Sequence, residues 1–329
     1  MFNFTQLMFL FMLILSSLIT ISATSWIGMW MGMEMNLMAF IPLISKSKNK
    51  KSSQAMITYF LVQSISSIIF LFSILISKFI MISPNFMNEI MNLLLMISLL
   101  IKLGVAPFHM WLPEMMTNLN WMEIFILSTW QKVAPLYVLN NMFNSKIMFI
   151  SVIMSAIIGA IGGINTSSMR KIMAYSSINH MSWMLIIMSS QPQWYMYLLF
   201  YSFMMLLACL TFHHNNLLFM NQVMNNESTI TKLTVASMML SMGGMPPFIG
   251  FLPKWIALQS MINSQMMIMM IIMIMMSMLT LFYYMQMISS MMMFYITSNK
   301  WMFKNKNTNN YMLLILNLNL PMFSILSFF

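Results

Sequence analysis

Three lysines, Lys102, Lys132 and Lys254, stand inside otherwise apolar segments of a 329-residue chain whose acidic side chains are five glutamates. A lysine at the centre of a membrane helix costs roughly 2.5–3.5 kcal/mol on insertion scales, so three of them point to an ion path. Glu34, between Met33 and Met35 in the second apolar run, needs a cation partner or a proton. A Glu facing a Lys across two helices holds that Lys charged, and moving the Glu's charge or proton lets the Lys release its own. Lys102 is the candidate partner. Lys132 sits near the middle of the fifth run, in Trp130-Gln-Lys-Val-Ala-Pro135, where the proline loosens a backbone carbonyl. Lys254 follows a Gly- and Pro-rich interruption that ends at Pro253. His180 lies among hydroxyls and an amide in Ala174-Tyr-Ser-Ser-Ile-Asn-His, and imidazole suits a proton relay near neutral pH. His109, beside an earlier proline, is a secondary candidate.

Each candidate has a plainer account. Long lysine stems can carry their amines to the headgroups, and His109 and His180 can be satisfied structural residues. His213 and His214 fall near a helix end and read as interfacial, while Glu114, Glu123 and Glu227 read as solvated. The sequons at Asn3, Asn165 and Asn226 read as chance matches in an Asn-rich chain.

Redox and nucleotide chemistry find no ligands here. Four histidines offer no repeated spacing for haem, and clusters suited to zinc, copper or di-iron are missing. Cys209 is the single cysteine, which excludes an internal disulfide and a four-Cys iron–sulfur cluster. Walker and dinucleotide fingerprints are absent too. No cofactor and no metal is expected in this chain.

These residues must be positioned by membrane helices. The chain is 60% hydrophobic and 6% charged, against about 25% charge in soluble domains, with mean hydropathy +0.82. Apolar runs approach the roughly 20 residues that span a bilayer as helix, and alternating strands of barrel type are missing. The expectation is an all-α polytopic membrane bundle. A net charge of +10 sits in short loops, so it reports topology and not nucleic acid. Fifty-one methionines and one arginine, Arg170, exceed what packing asks for and point to mutational bias in an organelle genome. The first run starts without a basic leader and reads as a span.

Apolar runs near 3-22, 26-44, 54-77, 88-118, 121-141, 147-164, 169-190, 194-218, 231-263, 266-296 and 311-328 give eleven spans. Two are too long, 88-118 and 231-263, and Gly and Pro divide each into half-helices. Lys46, Lys48, Lys50, Lys51, Arg170, Lys171, Lys232, Lys300, Lys304 and Lys306 fall on the N-terminal side, and only Lys78 and Lys146 on the other. The N-terminus therefore faces the compartment of synthesis and the C-terminus the opposite one. Gly104-Val-Ala-Pro107-Phe108 through Leu112-Pro113 aligns without gaps to Gly244-Met-Pro-Pro247-Phe248 through Leu252-Pro253. That match divides the chain into one five-helix repeat at 1-141, an inverted second at 147-296, and a last span at 311-328, an architecture of transporters.

The string from Lys102 through Pro107 and His109 to Glu114 resembles the broken-helix motif of the antiporter-like subunits of respiratory complex I. So do Trp130 to Pro135, Asn165 to His180, and Gly243 to Lys254. The likeness runs from about Glu34 to Lys254 and matches the short animal form found in mitochondria. It implies a Glu34–Lys102 pair, a central Lys132, a mid-membrane His180 and a terminal Lys254, all on a hydrated axis that relays protons. It also implies a non-redox subunit of the enzyme in the mitochondrial inner membrane, with its N-terminus on the matrix side and its C-terminus on the intermembrane-space side. The same likeness implies that NADH, flavin, iron–sulfur clusters and ubiquinone belong to other subunits, and that its partners are membrane-arm subunits and lipids, so that it is not a free monomer. Bacterial relatives carry further N-terminal helices, which leaves the flank beside the Glu34 helix for a neighbouring subunit to cover. Two other readings use the same residues: a stand-alone cation/proton antiporter, which the scarcity of carboxylates disfavours, and a passive scaffold.

Overall fold

The structure is a computed structural model that describes residues 4–45, 50–79, 84–142, 145–190, 193–220, 222, 229–293 and 308–318. All helices and no strands make up its regular structure among these residues, as long apolar runs in a membrane require. The chain divides into two compact units, Met1–Ser151 and Val152–Phe329.

The first unit holds α1 (Phe4–Ser22), α2 (Trp26–Ile44), α3 (Lys50–Phe79), α4 (Pro84–Leu103), α5 (Trp111–Asn118), α6 (Trp121–Ser128) and α7 (Trp130–Asn140). Helix α8 (Ser145–Ile164) carries the boundary between units. The second unit holds α9 (Met169–Ser190), α10 (Trp194–His214), α11 (Thr229–Gly243), α12 (Phe251–Asn263), α13 (Met267–Met293) and α14 (Thr308–Asn317). Of these, Phe4–Ser22, Trp26–Ile44, Lys50–Ser77, Ile147–Ile164, Trp194–His214 and Met267–Ser290 are long and apolar enough to cross a membrane.

Many hydroxyls lie inside these helices, and the helices themselves satisfy them. Ser16, Ser66 and Ser73 donate to the carbonyls of Leu13, Gln63 and Phe70 at 2.8, 2.7 and 2.6 Å. Such back-bonding lets a serine sit in an apolar environment without a partner on another helix. Helix α9 goes further, because every residue from Ser176 to Met188 is buried. Protein surrounds it on all sides, which is where a polar helix of a membrane bundle is tolerated.

The two Gly/Pro interruptions are built alike. Helix α4 ends where Gly104 adopts φ 67°, and α11 ends where Gly244 adopts φ 77°. Val105 and Gly104 donate to the carbonyls of Leu100 and Ile101, both at 3.1 Å, while Met245 and Gly244 donate to Leu240 and Ser241 at 3.2 and 3.0 Å. Each is a Schellman cap, whose left-handed residue is cheap only for glycine. Phe108 to Val105 and Leu112 to His109 then match Phe248 to Met245 and Leu252 to Ile249. Pro113 and Pro253 follow in the first turns of α5 and α12, where no intrahelical N–H is needed. In the second break a Cβ on Gly250 would fall 1.7 Å from the Ser241 carbonyl oxygen, so only glycine lets this segment lie against the end of α11.

Three expectations need correction. The run at 121-141 is not one continuous helix: Thr129, at φ −116° and ψ −71°, separates α6 from α7. Its hydroxyl competes for the Phe125 carbonyl at 2.7 Å, and Pro135 removes the N–H that the Gln131 carbonyl would otherwise receive. Glu123 is buried, not solvated, because it caps α6: its carboxylate accepts from the Asn120 backbone N–H and side-chain amide, both at 3.1 Å. Lys232, counted with the loop cations, is buried in the first turn of α11. Glu114 is exposed, and so are His213 and His214 at the end of α10. Asn3, Lys46, Lys48, Asn226, Glu227, Lys300, Lys304 and Lys306 lie outside the described residues, as does 319–328 of the last span.

Candidate functional site

In the first unit, α2, α3, α4 and α7 converge on a cavity of about 20 Å³, more than the roughly 10–15 Å³ that one water needs. Lys102 from α4 and Lys132 from α7 both line it. Their side chains are 7% and 3% exposed, so neither reaches the surface as a snorkelling lysine does. Lys132 is delivered by the interruption at Thr129, since it lies in the first turn of α7 and its N–H bonds to the Thr129 carbonyl at 3.2 Å.

A polar chain crosses the same cavity wall. The Tyr59 hydroxyl donates to Gln131 Oε1 at 3.0 Å, and Gln131 Nε2 donates to Asn36 Oδ1 at 3.0 Å. Gln63 Nε2 donates to the Lys102 carbonyl at 3.3 Å, close to the opened end of α4. Glu34, on α2, lies within electrostatic reach of both Lys102 and Tyr59, and its Oε1 is buried without a hydrogen-bond partner. Glu34 is not among the cavity's lining residues, so its charge acts on Lys102 through space and not through a direct ion pair.

The second unit holds the other two groups. Lys254, 7% exposed, donates to the Gly243 carbonyl at 2.6 Å and so caps the C-terminal end of α11. Its stem lies over Gly244, where a Cβ would meet the Lys254 Cδ at 2.7 Å. The helix end concentrates partial negative charge on its last carbonyls, and a buried ammonium is well placed there. His180, 2% exposed on α9, forms a 2.8 Å hydrogen bond between Nδ1 and the Tyr197 hydroxyl. The Tyr201 ring lies tilted at 42° beside it, with centroids 4.8 Å apart.

Lys102 and Lys254 approach their breaks from opposite sides, Lys102 two residues before Gly104 and Lys254 ten after Gly244. His109 is not part of the cavity lining; its Nδ1 is 3.2 Å from the Pro107 carbonyl within the first break. Asn36, Tyr59, Gln63 and Gln131 are the residues that reading the sequence did not single out. Gln131 stands next to Lys132 and Asn36 two places after Glu34, so proximity was the available signal. Tyr197 and Tyr201 were findable as a pair spaced four apart, on one face of α10.

Residues 23–280 match the family model described as NADH:quinone oxidoreductase/Mrp antiporter, transmembrane. The chain is 41% identical over 309 residues to NADH-ubiquinone oxidoreductase chain 2 of Anopheles gambiae, covering 92% of this chain and 90% of that one. It is 40% identical over 270 residues to the chain of the same name from Locusta migratoria, covering 80% and 78%. Its fold is similar to a chain of respiratory complex I from Thermus thermophilus, with a TM-score of 0.82 at 18% identity over 98% of this chain and 79% of that one.

Proposed function

This chain belongs to the NADH:quinone oxidoreductase/Mrp antiporter transmembrane family, and we propose that it is a proton-translocating, non-redox subunit of respiratory complex I in the mitochondrial inner membrane. The observation that carries this reading is the shared cavity: two buried lysines on one water-sized space, with an orphaned glutamate in electrostatic reach. Quinone chemistry on other subunits changes the charge near Glu34. Lys102 answers by taking or releasing a proton across the cavity to Lys132, and His180 and Lys254 continue the relay in the second unit. Flavin, iron–sulfur clusters, NADH and ubiquinone stay with the partner subunits, and this chain contributes the path.

The matched Schellman caps support the two inverted five-helix repeats within eleven spans, because four backbone hydrogen bonds recurring in register across a ten-residue break are more than shared proline content. Charge bias supports a matrix-facing N-terminus and an intermembrane-space C-terminus. Membrane-arm subunits and lipids cover the apolar surfaces of α1 and α3, such as Phe4, Phe11, Ile57 and Ile68.

Lys132→Ala in the assembled complex tests the reading. Proton translocation per electron pair falls and coupled turnover slows if Lys132 is the central station, whereas unchanged pumping overturns it. Sodium–proton exchange by the purified chain in liposomes points instead to a stand-alone antiporter.

A further inference from the structure

Within the second unit the side chains described so far leave His180 and Lys254 unjoined. Ser176 lies one turn before His180 on the same face of α9. It donates to the Met173 carbonyl at 2.8 Å, which leaves its oxygen free to accept. The Tyr284 hydroxyl, from α13, turns toward Ser176 and toward the hydroxyl of Tyr283. These tyrosines are 1% and 2% exposed, with ring centroids 4.5 Å apart. Neither hydroxyl completes a hydrogen bond within the protein.

The cluster also borders the residue that holds Lys254. The Tyr284 ring packs beside Gly243, with its Cδ2 3.4 Å from where a Cβ would stand, and the Gly243 carbonyl holds the Lys254 ammonium. Tyr283 lies against Gly163 on α8, whose missing side chain makes room for it: a Cβ there would fall 2.7 Å from the ring. Buried phenol hydroxyls without protein partners are ordinarily satisfied by ordered water.

We infer that Tyr283, Tyr284 and Ser176 hold ordered water and form the hydroxyl link through which a proton passes between His180 and Lys254. This rests on the relay proposed above and adds three residues to it. At each oxygen one O–H bond forms as another breaks, so the link ends each transfer neutral: the imidazolium has lost the proton and the Lys254 amine has gained it. No oxidant or reductant is needed.

The test compares Tyr283→Phe/Tyr284→Phe and Ser176→Ala with Lys254→Arg, all in the assembled complex reconstituted in liposomes. Protons moved per NADH and the solvent deuterium isotope effect on coupled turnover are measured. Phenylalanine keeps both rings and their packing, so a merely structural role leaves the isotope effect unmoved. The link predicts coupled proton transfer about tenfold slower in the double variant, the kinetic equivalent of about 1.4 kcal/mol, with a changed isotope effect. Loss of pumping in Lys254→Arg with unchanged transfer in the tyrosine and serine variants overturns the link and leaves the relay standing. Unchanged pumping in all of them overturns the relay and the link together. If the double variant fails to assemble, the wild-type complex decides: ordered water bridging the Tyr283 and Tyr284 hydroxyls supports the link, and a dry cluster overturns it.

Discussion

Lys254 donates its ammonium to the carbonyl of Gly243, eleven residues earlier in the chain, and thereby closes the break between α11 and α12. One side chain serves as the cap of a half-helix and as a protonatable group. Lys254→Arg keeps a charge at that helix end but gives up an amine that can release its proton. Assembled complex should therefore persist at near-normal levels on native gels while coupled turnover falls; Lys254→Met should lower both.

Gly244→Ala forces a side chain into left-handed backbone and against the Lys254 stem. A cost of about 1–2 kcal/mol follows from the backbone alone. Gly104→Ala meets the same strain and the Trp111 and Leu112 side chains besides. Thermal denaturation of the assembled complex should show both variants less stable, whereas Gly243→Ala, at ordinary φ, should be tolerated.

Gln131→Leu removes the bridge between Asn36 and Tyr59 and leaves both polar groups buried beside the lysine cavity. Each orphaned group costs about 1–3 kcal/mol. Coupled turnover should drop with Lys102 and Lys132 still in place, and a glutamate at this position should not restore it, since it cannot donate to Asn36 when ionised.

Glu34→Gln keeps the side chain's shape and removes the charge that acts on Lys102 and Tyr59. The coupled rate should fall about tenfold, the kinetic equivalent of about 1.4 kcal/mol. Proton pumping measured alongside uncoupled NADH oxidation separates this from damage to electron transfer, which should continue.

Much of this was legible because glycine and proline punctuate the chain at 104–113 and 244–253, and their backbone consequences are local. Lys102, Lys132 and Lys254 were visible as charges in apolar runs for the same reason. The polar partners were not. Asn36, Tyr59, Gln63 and Gln131 come from three different helices, and only packing brings them to one cavity. The interruption at Thr129 escaped notice because a hydroxyl competing for its own helix leaves no mark on an apolar pattern. Glu123 and Lys232 show the converse error: a charge near the end of a run reads as solvated, yet a cap or a packed first turn can bury it.

The acceptor that holds Lys254 belongs to the main chain, not to a side chain. Replacing the residue at 243 cannot delete that oxygen, and the space beside Gly243 accommodates a methyl group at ordinary contact distance. In a chain with fifty-one methionines, this half of the site is insulated from point substitution: its identity is carried by the path of the backbone, and only a change in that path can erase it.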